Sequence, residues 1–173
     1  MKNFVTITNF LKKINNPKKT VFIGLGNVLK NDDGVGVYII EKLITKCGRE
    51  LNNGVKLFNV GVSLENYLNK IVLLMLEKII FFDALSSKQD LKEKVKIISK
   101  QEIQNYTFST HNVSLTTIIE YLQLHIKENI PEIYVVGIKG YNFDFGENIT
   151  EEVKNTADIV VKQIYDWSNG KKL

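Results

Sequence analysis

The sequence has 173 residues, 44% of them hydrophobic, a length that suits one domain with its own core, spanning 1–173. Its 23 basic and 19 acidic residues are spread along the chain without the basic blocks of nucleic-acid-binding proteins. The longest apolar run, residues 71–82, is too short for a membrane helix, and the first ten residues lack a signal-peptide core. The single cysteine, Cys47, indicates a reducing compartment. We therefore expect a cytoplasmic protein that binds neither nucleic acid nor membranes.

The first half of the chain alternates predicted strands and helices. Short apolar runs predict strands over Thr20 to Leu25, Val55 to Val60 and Lys78 to Phe82, the last of them ended by Asp83. Apolar positions recur at helical spacing after the first strand's loop and again after Ser63, which we expect to cap its helix. The inner face of that second helix is predicted to be apolar: Leu64, Leu68, Ile71, Val72 and Met75.

The second half continues the same alternation. Lys94 to Ile98 alternates charged and apolar residues, which is typical of a strand near the edge of a sheet. An amphipathic helix is predicted to begin just after His111 and Asn112, Glu132 to Ile138 predicts the last strand, and Thr150 is expected to cap a terminal helix. Strands separated by helices of this length predict a three-layer α/β/α sandwich with a mostly parallel sheet and helices on both faces.

A pair of glycines follows the first predicted strand. Gly24 and Gly26 invite comparison with dinucleotide-binding loops, but Leu29 stands where a third glycine is needed. Asn59 stands at the end of the second strand, where an acidic ribose ligand is expected. The glycines are sufficiently explained by a tight turn between strand and loop.

Five ionisable side chains are candidates for chemistry. Asp32 and Asp33 precede a helix, where a capping role is a full alternative for Asp32; we favour Asp33 as the functional one. Asp83 ends an apolar strand, where a carboxylate needs a partner or a function, although it could simply bond backbone amides in a turn. His111 lies where a loop enters a helix and could cap it, whereas His125 is predicted to be solvated.

The carboxyl ends of parallel strands meet at one edge of the sheet, which is where ligands bind in such folds. Two carboxylates, Asp33 and Asp83, and one imidazole, His111, brought to that edge would form a mixed oxygen and nitrogen set suited to nickel or zinc. Three ligands leave coordination positions open, as a site that polarises a carbonyl requires. The three residues are far apart in the sequence, so this prediction of a metal site depends on the predicted sheet bringing them together.

Several stretches resemble the motifs of one family, the hydrogenase maturation proteases. Gly24 to Gly36, GLGNVLKNDDGVG, closely resembles the family's opening motif. Phe82-Asp83-Ala84 resembles its aspartate at a strand end, and Ser109 to Asn112 resembles its histidine motif, in matching order. Ser63 to Asn66 looks like the corresponding segment in the branch that serves membrane-bound, energy-converting or formate-linked hydrogenases. The resemblance covers nearly all of the chain after residue 20.

This resemblance implies a twisted five-stranded mixed sheet between helices. It also implies an endopeptidase that removes the C-terminal extension of a nickel-loaded large-subunit precursor of a nickel-iron hydrogenase, with that precursor as partner. Asp33, Asp83 and His111 would then bind the nickel ion, which would arrive with the substrate, and Asp33 or Asp83 would act in catalysis as in an aspartyl protease. Activation of the water by a carboxylate or by the metal stays open.

The chain departs from the family pattern at two places. Asn59-Val60-Gly61 stands where the family usually has an aspartate and two glycines, and an N-terminal extension, residues 1–19, is longer than the family needs. A non-catalytic nickel-dependent chaperone and a nucleotide-binding module are the alternatives to the protease. A monomer is the simplest expectation for a protein that binds a large partner.

Overall fold

The sheet has five strands, four of them parallel. The structure, a computed structural model, describes residues 2–86, 92–106, 108, 115–126 and 129–171, with side chains from residue 7 on. The strands lie in the order β2-β1-β3-β5-β4, and only β4 runs antiparallel to its neighbour. Their bounds are Thr20–Leu25 for β1, Lys56–Gly61 for β2, Lys78–Leu85 for β3, Val95–Ser99 for β4 and Glu132–Lys139 for β5.

Helices cover both faces of this sheet, as predicted. The α-helices are α1 over Lys2–Leu11, α2 over Val35–Cys47, α3 over Leu68–Leu73, α4 over Leu115–His125 and α5 over Glu151–Ser168. The side chains of α2 and α5, with Leu11 of α1, pack in one core against β1, β3 and β5. The side chains of α3 and α4 pack in a second core on the opposite face. In the described part of the chain, no helix is both long and apolar enough to cross a membrane.

The parallel order places the carboxyl ends of β1, β2, β3 and β5 at the same edge of the sheet. We call it the carboxyl edge. Short 3-10 turns follow two of these strands, at Asn31–Gly34 after β1 and at Leu64–Tyr67 after β2. The edge strand predicted over Lys94 to Ile98 is confirmed as β4.

The helix predicted after Ser63 is shorter than expected. It begins as a 3-10 turn and ends at Leu73, and Met75 is 77% exposed with a φ of 45°, so the assignment of Met75 to the inner face was wrong. Helical periodicity extends past the point where the chain leaves the helix, which explains the error. Ser63 takes the cap position, but its side chain makes no capping hydrogen bond.

One predicted strand end and one predicted capping bond also differ from the structure. The strand that contains Asp83 was predicted to end there, yet β3 continues to Leu85 because Asp83 pairs with Gly137 in the register of β5. Thr150 does stand at the cap of α5, but its hydroxyl makes no capping bond to the helix. It binds another residue, described below.

The N-terminal extension includes a helix that packs on the domain. Helix α1 contacts β4 and α5, and Ile7, Leu11 and Ile14 are buried in the core on that face. Part of the extension thus belongs to the core.

Candidate active site

Helix α2 approaches the sheet very closely at the carboxyl edge. A Cβ atom on Gly36 would collide with the carbonyl oxygens of Phe82 and Leu25, so only glycine allows this contact. A Cβ on Gly24 would lie 2.5 Å from the carbonyl oxygen of Gly36. The close approach carries the 3-10 turn before α2 into contact with β3. The glycines of the first motif therefore set the position of the aspartates that lie between them.

Asp33 is buried in this turn and is held by the loop that precedes it. Its Oδ2 accepts a hydrogen bond of 2.8 Å from the backbone N–H of Asn27. Gly26 has a φ of 123° and lies against the Asp33 carbonyl, where any Cβ would collide. The strand, the glycine turn and the carboxylate thus form one compact unit, with Asp33 oriented from within the motif.

Asp83 is buried in β3, between β1 and β5. Its Oδ1 accepts a hydrogen bond of 2.8 Å from the N–H of Ala84. The alternative of an aspartate bonded to a backbone amide is therefore partly correct, although the residue lies in a strand and not in a turn. Removing a carboxylate from water costs free energy unless hydrogen bonds or a cation compensate. The two buried carboxylates, Asp33 and Asp83, lie on the 3-10 turn and on β3, which contact each other at the carboxyl edge.

Asp32 has a different role from its neighbour. Its carboxylate accepts hydrogen bonds from the N–H groups of Tyr141 and Asn142, both at 2.9 Å, and from the N–H of Thr150 at 2.7 Å. The Thr150 hydroxyl donates a fourth, at 3.1 Å. Asp32 is thus a structural acceptor that fixes the segment before α5, which agrees with the preference for Asp33 as the functional residue.

The loop 27–34 is also joined to the loop 140–150 through backbone groups. The N–H of Asn31 donates to the Gly146 carbonyl at 2.8 Å, and the N–H of Gly146 donates to the Leu29 carbonyl at 2.9 Å. The Asn31 side chain donates to the Asp144 carbonyl at 3.0 Å. The Tyr141 hydroxyl donates a hydrogen bond to Glu152 of α5, which fixes this side chain as well. Burial, and then this hydrogen bond, raise the pKa of the Tyr141 phenol.

The third predicted ligand, His111, lies outside the described residues. Among the residues that the structure describes, no group of three histidine, cysteine, aspartate or glutamate side chains could hold a metal ion. The joint metal site of Asp33, Asp83 and His111 therefore stays a prediction. His125 is exposed, as expected, and stacks on Tyr121 with 3.9 Å between ring centroids.

The geometry of the first loop disagrees with dinucleotide binding. In such proteins the loop amides at the start of the first helix bind the pyrophosphate. Here the carboxylate of Asp33 accepts from the Asn27 amide in this loop, and a phosphate would meet a negative charge. Asn59, at the position of the ribose ligand, donates instead to Glu41 of α2 at 2.9 Å.

Sequence reasoning missed the contribution of the loop 140–150. Its residues follow β5 and carry no motif, and Asp32 lies 109 to 118 positions away from the groups that donate to it. The only local signal was the doubled carboxylate at residues 32–33, since one aspartate is enough for a helix start. The second aspartate therefore indicated that Asp32 or Asp33 has a further function, but it did not indicate which residues that aspartate contacts.

Comparison with known sequences identifies the family. A family profile described as Hydrogenase maturation protease (HycI) matches residues 37–167, a range that includes Asp83 and His111. The chain is 36% identical over 167 residues to the "Putative hydrogenase maturation protease MJ0631" of Methanocaldococcus jannaschii, covering 94% of this chain and 96% of that protein. It is 26% identical over 148 residues to the Hydrogenase 3 maturation protease of Escherichia coli K12, covering 85% and 89%.

Solved structures share the fold. The NiFe hydrogenase maturation protease HycI from Thermococcus kodakarensis KOD1 superposes with a TM-score of 0.74 at 23% identity, covering 93% of this chain and 99% of that one. At this identity the likeness shows the fold, a five-stranded sheet with helices on both faces. Because the profile spans most of the sequence and the archaeal relative matches it nearly end to end, this chain belongs to the hydrogenase maturation protease family.

Proposed function

We propose that this chain is an endopeptidase that removes the C-terminal extension of a nickel-loaded large-subunit precursor of a nickel-iron hydrogenase. The proposal rests on the family and on one observation: two buried carboxylates, Asp33 and Asp83, lie on contacting elements at the carboxyl edge. A protein without chemistry to perform there would gain little from burying both, since each carboxylate must be compensated for its lost hydration.

The donor set suits the ion that the precursor carries. Carboxylate oxygens and an imidazole nitrogen are ligands that nickel accepts, and the set of Asp33, Asp83 and His111 would leave positions open for the precursor's own ligands. Nickel is then part of the substrate. Binding it would hold the scissile peptide beside the two aspartates, which is a proximity effect.

The chemistry assigned to the chain is proton transfer. One carboxylate, Asp33 or Asp83, takes a proton from a water molecule while the water oxygen attacks the scissile carbonyl carbon. The proton then passes to the amide nitrogen, and the C–N bond breaks to release the tail. The hydrogen bonds from the Asn27 and Ala84 amides keep the two side chains oriented for this step. In this sense the enzyme is of the aspartyl type.

We further propose that the protein acts in the cytoplasm, the compartment expected from its single, unpaired Cys47, and as a monomer, the simplest form for a protein that binds a large partner. Its partner is the large-subunit precursor that has received its nickel but still carries its C-terminal extension.

The test compares processing of nickel-loaded and nickel-free precursor, measured by mass. Wild-type protein should shorten only the loaded form, and Asp83→Asn and His111→Ala should leave it uncut. Matched controls are His125→Ala, on the exposed side of α4, and Asp158→Asn, whose carboxylate accepts from the Tyr38 hydroxyl. Both controls should process normally.

Two results would contradict the proposal. Normal processing by both Asp83→Asn and His111→Ala would remove the assigned chemistry. A stable complex of wild-type protein with full-length precursor, without any shortened product, would instead establish the nickel-dependent chaperone.

A further inference from the structure

Three apolar side chains are exposed on the two loops that meet beside the candidate active site. Val28 and Leu29 are each 51% exposed, and Phe145 is 85% exposed. Single exposed apolar residues are ordinary on a protein surface, but a group of them marks an interaction site. The loops that carry them meet at a parallel backbone bridge between Lys30 and Gly146, so Leu29 and Phe145 occupy neighbouring positions. We call these three residues the rim patch.

The backbone under the rim patch is fixed on both sides. The Leu29 carbonyl accepts from the Gly146 N–H at 2.9 Å, and the Asn31 side chain bonds both the Asp144 carbonyl, at 3.0 Å, and the Asn148 N–H, at 3.2 Å. An apolar surface that is already ordered loses less conformational entropy when it binds a partner. The rim patch is thus preorganised.

The rim patch is continuous with the candidate site. Val28 follows Asn27, whose N–H holds the Asp33 carboxylate, and Gly34 packs against the Val28 backbone, where an added Cβ would lie 3.0 Å from the Val28 Cα. Each residue of an extended peptide spans about 3.3–3.6 Å. A polypeptide that has its scissile bond at Asp33 and Asp83 and runs over the loop 27–34 would therefore reach the rim patch within a few residues of that bond.

We propose that the rim patch binds apolar side chains of the precursor in the segment next to the scissile bond. This inference rests on the proposed function and adds the part of the substrate that the protease grips. The size of the patch favours a peptide segment over a second copy of this chain. Three side chains expose roughly a few hundred Å², whereas a stable dimer buries about 800 Å² on each partner.

The test separates binding from chemistry. Phe145→Ser and Leu29→Ser should raise KM for the nickel-loaded precursor by about tenfold and change kcat less than about twofold, because binding that is equal in ground and transition states affects KM alone. The matched control is Leu73→Ser, which removes a leucine of similar character, 79% exposed at the end of α3, and should change neither constant.

A second measurement distinguishes failure of this inference from failure of the proposed function. In the Asp83→Asn background, the Kd for the intact precursor should rise about tenfold when Phe145→Ser is added. If wild-type protein never cuts the precursor but this Kd still rises, the rim patch does bind the precursor and the protease assignment is wrong.

Three outcomes would contradict the proposal that the rim patch binds the precursor. An unchanged Kd is the first, and an equal loss from Leu73→Ser is the second. The third is a dimer of the wild-type chain, detected by sedimentation, that Phe145→Ser dissociates while precursor binding is unaffected, since the occupant would then be a second copy. Circular dichroism of each variant checks that the fold is retained.

Discussion

The adjacent aspartates Asp32 and Asp33 should give opposite results when each is substituted. Asp32→Ala removes the acceptor of three backbone N–H groups and one hydroxyl that connect the loop 27–34 to the loop 140–150. Asp33→Asn keeps the shape of the side chain and an oxygen for the Asn27 amide, but it removes the charge and the proton acceptor. The first change should affect stability and the second should affect processing.

The size of the Asp32 effect follows from its four hydrogen bonds. A hydrogen bond to a charged group contributes about 1.5–3 kcal/mol, and an unpaired buried donor costs about 1–3 kcal/mol. The donors here are only partly buried, so water replaces some of these bonds, and the losses do not add in full because the groups share one acceptor. We expect Asp32→Ala to lower the free energy of unfolding by about 2–4 kcal/mol.

Urea unfolding measures this difference as a shift of the midpoint at constant slope. The same preparations, incubated with nickel-loaded precursor, report processing. Asp33→Asn should stay within about 1 kcal/mol of the wild type and produce no shortened precursor. The reasoning would be refuted by an Asp32→Ala variant as stable as the wild type, or by an Asp33→Asn variant that loses as much stability as Asp32→Ala.

Two more predictions concern the end of the molecule opposite the site. Leu11→Ala should cost about 2–5 kcal/mol in urea unfolding because Leu11 is buried, whereas the control Leu73→Ala should cost less than about 0.5 kcal/mol; equal losses would show that α1 is dispensable. Hydrogen bonds from Lys78 and then Tyr134 lower the pKa of Glu132 from its ordinary 4.5, so its stabilisation is present above pH 4.5 and is lost as the pH falls through the lowered pKa. The stability gap between wild type and Glu132→Gln should therefore narrow in acid, and a gap independent of pH would contradict this cause.

Local patterns in the sequence predicted the elements well where the chain itself marks their ends. β1 runs from Thr20 to Leu25 as predicted, because a β-branched apolar run meets a glycine turn there. The predicted bounds were wrong where pairing with a neighbouring strand, or the point at which a helix stops, determines the end of an element. Asp83 did not end β3, because pairing with Gly137 continues past it, and Met75 follows the helical period after the helix has already ended.

The candidate site was predictable in its residue types more than in its contacts. The pattern singled out Asp33 and Asp83, and the structure places both, buried, at the carboxyl edge. The partners of Asp32 were unpredictable because they follow β5, more than a hundred positions away. The rim patch was equally hidden, since exposure of Phe145 depends on how its loop lies against residues 29–31.

The bonds between the loop 27–34 and the loop 140–150 also constrain when activity can appear during synthesis. Asp32 and Asn31 leave the ribosome more than a hundred residues before the groups that hold them. A nascent chain that ends before residue 140 therefore lacks the hydrogen bonds from the loop 140–150 that order its first motif. The first motif can be ordered only after residues 140–150 have been synthesised, so shorter nascent chains carry the aspartates without the contacts that position them.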